Sequence, residues 1–141
     1  MGDVTIARAI HVLSIVHWIG GLAFVTLVVL PLCRRSGMVL FEQVERRFAA
    51  QVRVSVPLAG ASGLYMAERL DLWPRFLDPA AWWLDAMLLL WLLFMVMLFV
   101  VEPLAGRRLP PLAFIERAHR LLLVLSAIVV GGAVLGAHGL L

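Results

Sequence analysis

The chain has no lysine, a single cysteine (Cys33) and few charges: 15% of its 141 residues are charged. Each scarcity excludes something. One cysteine rules out an internal disulfide, a CxxC redox pair and a CxxCH haem attachment, and leaves Cys33 as a small filler at the end of an apolar run. All twelve basic residues are arginine, and they sit at the ends of apolar runs rather than along a stripe, so a net charge of +3 does not make a nucleic-acid surface. So little charge also leaves a soluble domain of this size without enough polar surface to cover itself.

What is present is hydrophobic: 63% of the residues, with a mean hydropathy of +1.00. A spanning helix needs roughly 20 mostly apolar residues. Four runs meet that length, at about 7–33, 48–67, 81–101 and 115–141. They predict one all-α domain over 1–141, an integral membrane four-helix bundle. Arg8 precedes an apolar run, as in a signal peptide, but the run from Ala9 to Leu32 is too long for an h-region and lacks an A-x-A site, so it reads as a true span.

Arginine sets the expected orientation. The first connection and the start of the second run hold Arg34, Arg35, Arg46, Arg47 and Arg53; the third connection and the start of the fourth run hold Arg107, Arg108, Arg117 and Arg120. The N-terminus and second connection hold only Arg8, Arg69 and Arg75. The positive-inside rule then puts both termini on the outer, periplasmic side of a bacterial inner membrane. Trp73, Trp82 and Trp83 are expected as an outer interfacial belt, and Pro57 as a bend in the second run. Small residues at Gly20-Gly21, Ala59/Gly63 and Gly132/Gly136 are expected to let helices approach closely.

Ionisable groups inside a membrane are costly and usually face a bundle interior. Counted at about 1.5 Å per residue from the span centres, His11 and His138 fall roughly 12–14 Å outside the midplane. Asp85 and Met87 fall roughly 6–10 Å outside it, and His17 about 5 Å. His11 shares a helical stripe with Ser14 and Trp18, whereas His17 is rotated by about 120°. His138 stacks over Val134, Leu135, Gly131 and Ala127, a floor suited to a flat macrocycle. Two imidazoles at matched depth on two helices suit axial ligation of a b-type haem. His11 and His138 are the preferred pair, with His17 as substitute metal ligand. Trp18 lines the cofactor, Arg53 anchors a propionate, and Asp85 and His17 handle protons. Each histidine also has a purely structural reading, as a hydrogen-bonded or interfacial ring. His119, among Glu116, Arg117 and Arg120, reads as a solvated interfacial residue.

The stretch from Ile10 to Gly21 (Ile10-His11-Val12-Leu13-Ser14-Ile15-Val16-His17-Trp18-Ile19-Gly20-Gly21), followed by Pro31 and Arg34-Arg35, resembles the first helix of HemJ-type protoporphyrinogen oxidases and of CopD-like copper-resistance membrane domains. The amphipathic Phe41–Phe48 piece, Gly63-Leu64-Tyr65 and Trp83-Leu84-x-Ala86 extend that resemblance over most of the chain. It implies four membrane helices and, for the HemJ type, haem b held by a histidine at the His11 position. The HemJ pattern has a functional lysine in the third span; Met87 stands there. The expected function is therefore haem b-based electron transfer, with quinone or porphyrin as small partner and a homodimer or a redox complex as assembly. The alternatives are a HemJ-type oxidase, a copper-handling protein using His11, His17 and nearby methionine, and a structural accessory subunit.

Overall fold

A computed structural model describes residues 2–105 and 110–139. Among them all regular structure is helical. The long helices are α1 (Gly2–Arg35), α2 (Met38–Arg69), α3 (Pro79–Leu104) and α4 (Leu112–Ala137). Three of these, α1, α3 and α4, are long and apolar enough to cross a membrane. The fourth, α2, is divided: its first part carries Glu42, Glu45, Arg46 and Arg47, and its remainder is apolar apart from Gln51, Arg53, Glu68 and Arg69. It runs unbroken through Pro57, so the expected bend does not interrupt the helix. Arg107 and Arg108 lie outside the described residues.

Helices α1 and α2 form an antiparallel hairpin, the most extensive contact in the molecule. Its turn is made by Gly37, whose φ of 81° is a conformation that side chains resist. There its N–H caps the Cys33 carbonyl at 2.9 Å. Between helices in lipid there is little hydrophobic driving force, so close packing and hydrogen bonds hold them. Glycines supply the closeness. Phe48 lies on Gly21, Trp91 on Gly60, Trp82 on Gly132 and Trp83 on Gly136. Trp91 also donates to the Val56 carbonyl at 3.0 Å. Trp83 is thus buried in a helix contact, which corrects its expected place in an interfacial belt; Trp73 stays half exposed and donates to Glu68.

The core at mid-length draws on all four helices, with Trp18, Val56, Phe94 and Leu122 among its members. Trp18 meets Phe94 edge to face at 4.6 Å between centroids. Toward the Gly37 turn a second core gathers Val29, Leu30, Phe41 and Ile115, with Cys33 buried among them as filler. Ion pairs brace both ends. Arg34 grips Glu116 with two nitrogens and so joins α1 to α4. Arg53 joins α2 to Glu102 of α3 at 2.9 Å. At the other end Arg69 and the Tyr65 hydroxyl converge on Asp3. Because Glu116 is buried while Arg34 is half exposed, the two partners are unequal. Arg34→Ala strands a buried carboxylate and should lower the thermal midpoint in detergent by more than Glu116→Gln does. Equal losses would count against that asymmetry.

Glu45, on the charged part of α2, is a strongly perturbed acid. Burial first, then the carboxylates of Glu102 and Glu42, push its carboxyl up to about 7. A carboxyl raised on folding favours the folded state while both states are protonated. That advantage is lost as pH climbs from the ordinary carboxylate range through about 7. With part of the group still wet, the effect is on the order of 1 kcal/mol. Glu45→Gln should therefore flatten the stability profile between pH 5 and 8, measured by thermal unfolding in detergent, and should stabilise the protein at the alkaline end.

Candidate functional site

A cavity of about 630 Å³ lies between the helices at the end of the molecule that carries His138. Its walls are almost wholly apolar and come from all four helices. Its volume falls within the range of ordinary ligand sites, about 300–1,000 Å³. Both His11 and His138 line it, as do Trp18, Trp83, Met87 and Arg8.

The pairing of His11 with His138 follows from the register of α1 against α4. His11 precedes Arg34 by 23 residues, and His138 follows Glu116 by 22. Since Arg34 and Glu116 are bonded to each other, the two histidines sit at axial levels that differ by about one residue rise. Their rings are set alike. His11 Nδ1 lies 2.7 Å from the Ala59 carbonyl, and His138 Nδ1 lies 2.7 Å from the Val134 carbonyl. A carbonyl oxygen only accepts, so in both rings Nδ1 carries the hydrogen and donates it. Each Nε2 keeps its lone pair and has no partner among the described residues. Metal-binding imidazoles are oriented in this way, with the second nitrogen tied to a carbonyl or carboxylate. Room for the His11 ring comes from Gly63, where a Cβ would stand 3.0 Å from His11 Cε1.

Other sequence expectations land elsewhere. His17 is not on the cavity: its Nδ1 lies 3.2 Å from Ser55 Oγ and its Nε2 3.2 Å from Gln51 Oε1, so both nitrogens are engaged. This corrects its part as a substitute ligand, for Ser55 and Gln51 of α2 take both ring nitrogens. Asp85 is likewise directed away, its carboxylate accepting the Leu77 N–H at 3.1 Å. Leu77 has a φ of 64°, and Asp85 fastens that turn to the start of α3. Arg53 is committed to Glu102. His119 is half buried rather than solvated, with Nδ1 on the Ile115 carbonyl at 3.0 Å and its ring edge-on to Phe41. On α4 Val134 lines the cavity as expected, together with Val130, Ala133 and Ala137, whereas Leu135, Gly131 and Ala127 do not line it.

Arg8 was not among the sequence candidates. It precedes His11 by three residues, one turn away on the same face, and that spacing was its signal. Trp83 was misjudged because its burial depends on a glycine 53 positions later. Among the described residues no three of His, Cys, Asp and Glu come together.

No family model, curated protein or solved structure matches the chain.

Proposed function

We propose that the protein is a haem b-binding membrane protein that passes electrons, with His11 and His138 as the residues that would hold the haem iron. One observation carries this reading: imidazoles from the first and last helices line a single apolar cavity, each with Nδ1 tied to a carbonyl and Nε2 left over. Bound there, haem b supplies a one-electron couple. The chain's own residues do the rest. The Ala59 and Val134 carbonyls fix the tautomer and heading of the two rings. The apolar walls keep water from the centre, and Arg8 at the cavity wall offers a cation to the carboxylates of a porphyrin rim. Met87 shares the wall at the place where the HemJ pattern has lysine. A thioether holds no proton, which favours electron transfer over porphyrinogen oxidation.

In this reading the apolar part of α2 is a fourth span, and the protein is a four-helix bundle of the bacterial inner membrane. The arginine-rich Gly37 end faces inward and both termini face outward. The redox partner comes from a second copy or from a larger membrane complex.

The test is spectroscopic. Protein purified in mild detergent after haem-replete expression is expected to show a sharp Soret band and a reduced α band. His11→Ala and His138→Ala should each lose or shift both bands, while His17→Ala keeps them. Haem-free protein under these conditions sinks the proposal. Growth rescue of a strain lacking porphyrinogen oxidase would replace it with the oxidase reading, and stoichiometric copper would replace it with the copper one.

A further inference from the structure

The outward surface of the bundle differs from helix to helix in one respect. Over residues 86–101 of α3 and 121–137 of α4, the only side chain with a hydroxyl, amide or charge is Ser126, and it is fully buried. Those two helices turn apolar faces outward. The α1–α2 hairpin does not: His17 and Gln51 are both exposed, and they are bonded to each other across the seam at 3.2 Å.

This polar pair is also deep. Trp18, the residue after His17, meets Phe94, which lies about 4 Å from the middle of α3. In a bilayer the imidazole and the amide would therefore lie among acyl chains, which offer neither donors nor acceptors. Polar side chains at such depth face a protein neighbour.

The chemistry of the pair says which neighbour. An amide oxygen only accepts, so His17 Nε2 carries the hydrogen and donates it to Gln51, while Nδ1 accepts from the Ser55 hydroxyl at 3.2 Å. The imidazole is thereby satisfied. The Gln51 amide is not: neither of its N–H bonds has an acceptor among the described residues, and its oxygen keeps a second lone pair. An amide left in that state is its own complement. Two of them, facing each other across a two-fold axis normal to the membrane, exchange N–H···O bonds at one depth. Lipid and apolar helices supply no such match.

Close approach is open on this face. Gly20, one turn along α1 from His17, is exposed, and a Cβ there would meet nothing within 4 Å. On α2, Val54 and Leu58 continue the exposed surface in apolar form. Arg47, one turn from Gln51 toward the Gly37 end, is exposed and long enough to splay into the headgroups.

We infer that the protein forms a parallel homodimer through its α1–α2 face, with the Gln51 amides of the two copies paired across the two-fold axis. The inference rests on the membrane placement of the apolar part of α2 proposed above, and not on haem.

The test is cysteine cross-linking of the full chain in native membranes, in a Cys33→Ala background. Oxidation by copper–phenanthroline should join Val54→Cys, one turn from Gln51, into a dimer of this chain at least about tenfold more than Leu89→Cys or Ile128→Cys, on the exposed faces of α3 and α4. All three changes fall at exposed apolar positions and leave the polar pair intact, so the comparison does not challenge the fold. Adding Gln51→Leu should lower the Val54→Cys yield about tenfold. Gly20→Leu, which fills the space for a partner and meets nothing in its own chain, should lower it as well. Equal or greater cross-linking through Leu89→Cys or Ile128→Cys overturns the inference. So does a yield unchanged by Gln51→Leu or Gly20→Leu, or a Val54→Cys product joined to a protein of another size. Modification of Val54→Cys by a water-soluble maleimide in intact membranes overturns the inference together with the membrane placement of α2. Protection from that reagent without a cross-link overturns the inference alone.

Discussion

Gly60→Leu is expected to destabilise the folded protein by on the order of 3 kcal/mol, the upper part of the usual range for overpacking a tight core. Any Cβ at position 60 overlaps the Trp91 indole, which lies flat on the glycine and donates to the Val56 carbonyl. The ring is wedged between α2 and α3 and cannot withdraw without giving up that hydrogen bond and reopening the helix contact. Glycine's own helix penalty, about 1 kcal/mol, is relieved by the substitution, so the observed loss is net of that gain. Thermal or denaturant unfolding in detergent measures it. A double variant with Trp91→Ala should recover part of the loss, because the second change removes the object of the clash. Wild-type stability in Gly60→Leu alone would mean that α2 and α3 are not in contact there.

Three residues on, the same kind of substitution should spare the fold and empty the site. A Cβ at Gly63 stands 3.0 Å from His11 Cε1 and 3.4 Å from its Nδ1, close enough to disturb the ring without meeting backbone. The γ-methyls of valine have to be seated where the imidazole now lies, pushing it off the Ala59 carbonyl that sets its tautomer. On the haem reading, Gly63→Val lowers haem affinity at least about tenfold, and Gly63→Ala lowers it less, since strain of 1–3 kcal/mol is about one to two powers of ten in binding. The unfolding midpoint of haem-free Gly63→Val stays near that of the haem-free parent. Full haem occupancy in Gly63→Val would remove His11 from the ligand set. Both glycines line the cavity, but Gly60 seats the Trp91 indole and Gly63 the His11 ring, a difference that spacing alone does not show.

That contrast shows what could be read from the chain and what could not. The apolar runs announce α1, α3 and α4 because hydropathy is additive along a sequence, and the counting of depth brings His11 and His138 to one level. What failed was everything that depends on a distant partner. Arg53 looked available for a propionate because Glu102 lies 49 residues away. Asp85 looked like a proton acceptor until the left-handed turn at Leu77 presented its N–H. Of the floor drawn beneath His138, Val134 lines the cavity, while Val130, Ala133 and Ala137 take the places given to Leu135, Gly131 and Ala127 because the cavity also follows the packing of α4 on its neighbours. Arg8 was passed over as a terminal charge.

One turn of α1 lets both ends of the molecule agree. Over Val25–Val29 the helix widens to a π turn, with the Leu30 N–H reaching back to the Val25 carbonyl. Such a turn absorbs about one extra residue. In an uninterrupted α-helix, His11 and Arg34 would point about 140° apart; with that residue absorbed, they differ by about 40°. On α4 the spacing of Glu116 and His138 also amounts to about 40°. The wide turn therefore acts as a phase corrector, letting α1 present a cation to Glu116 at one end and an imidazole to the cavity at the other. Removing a single valine from it would leave either end free to dock, but not both at once.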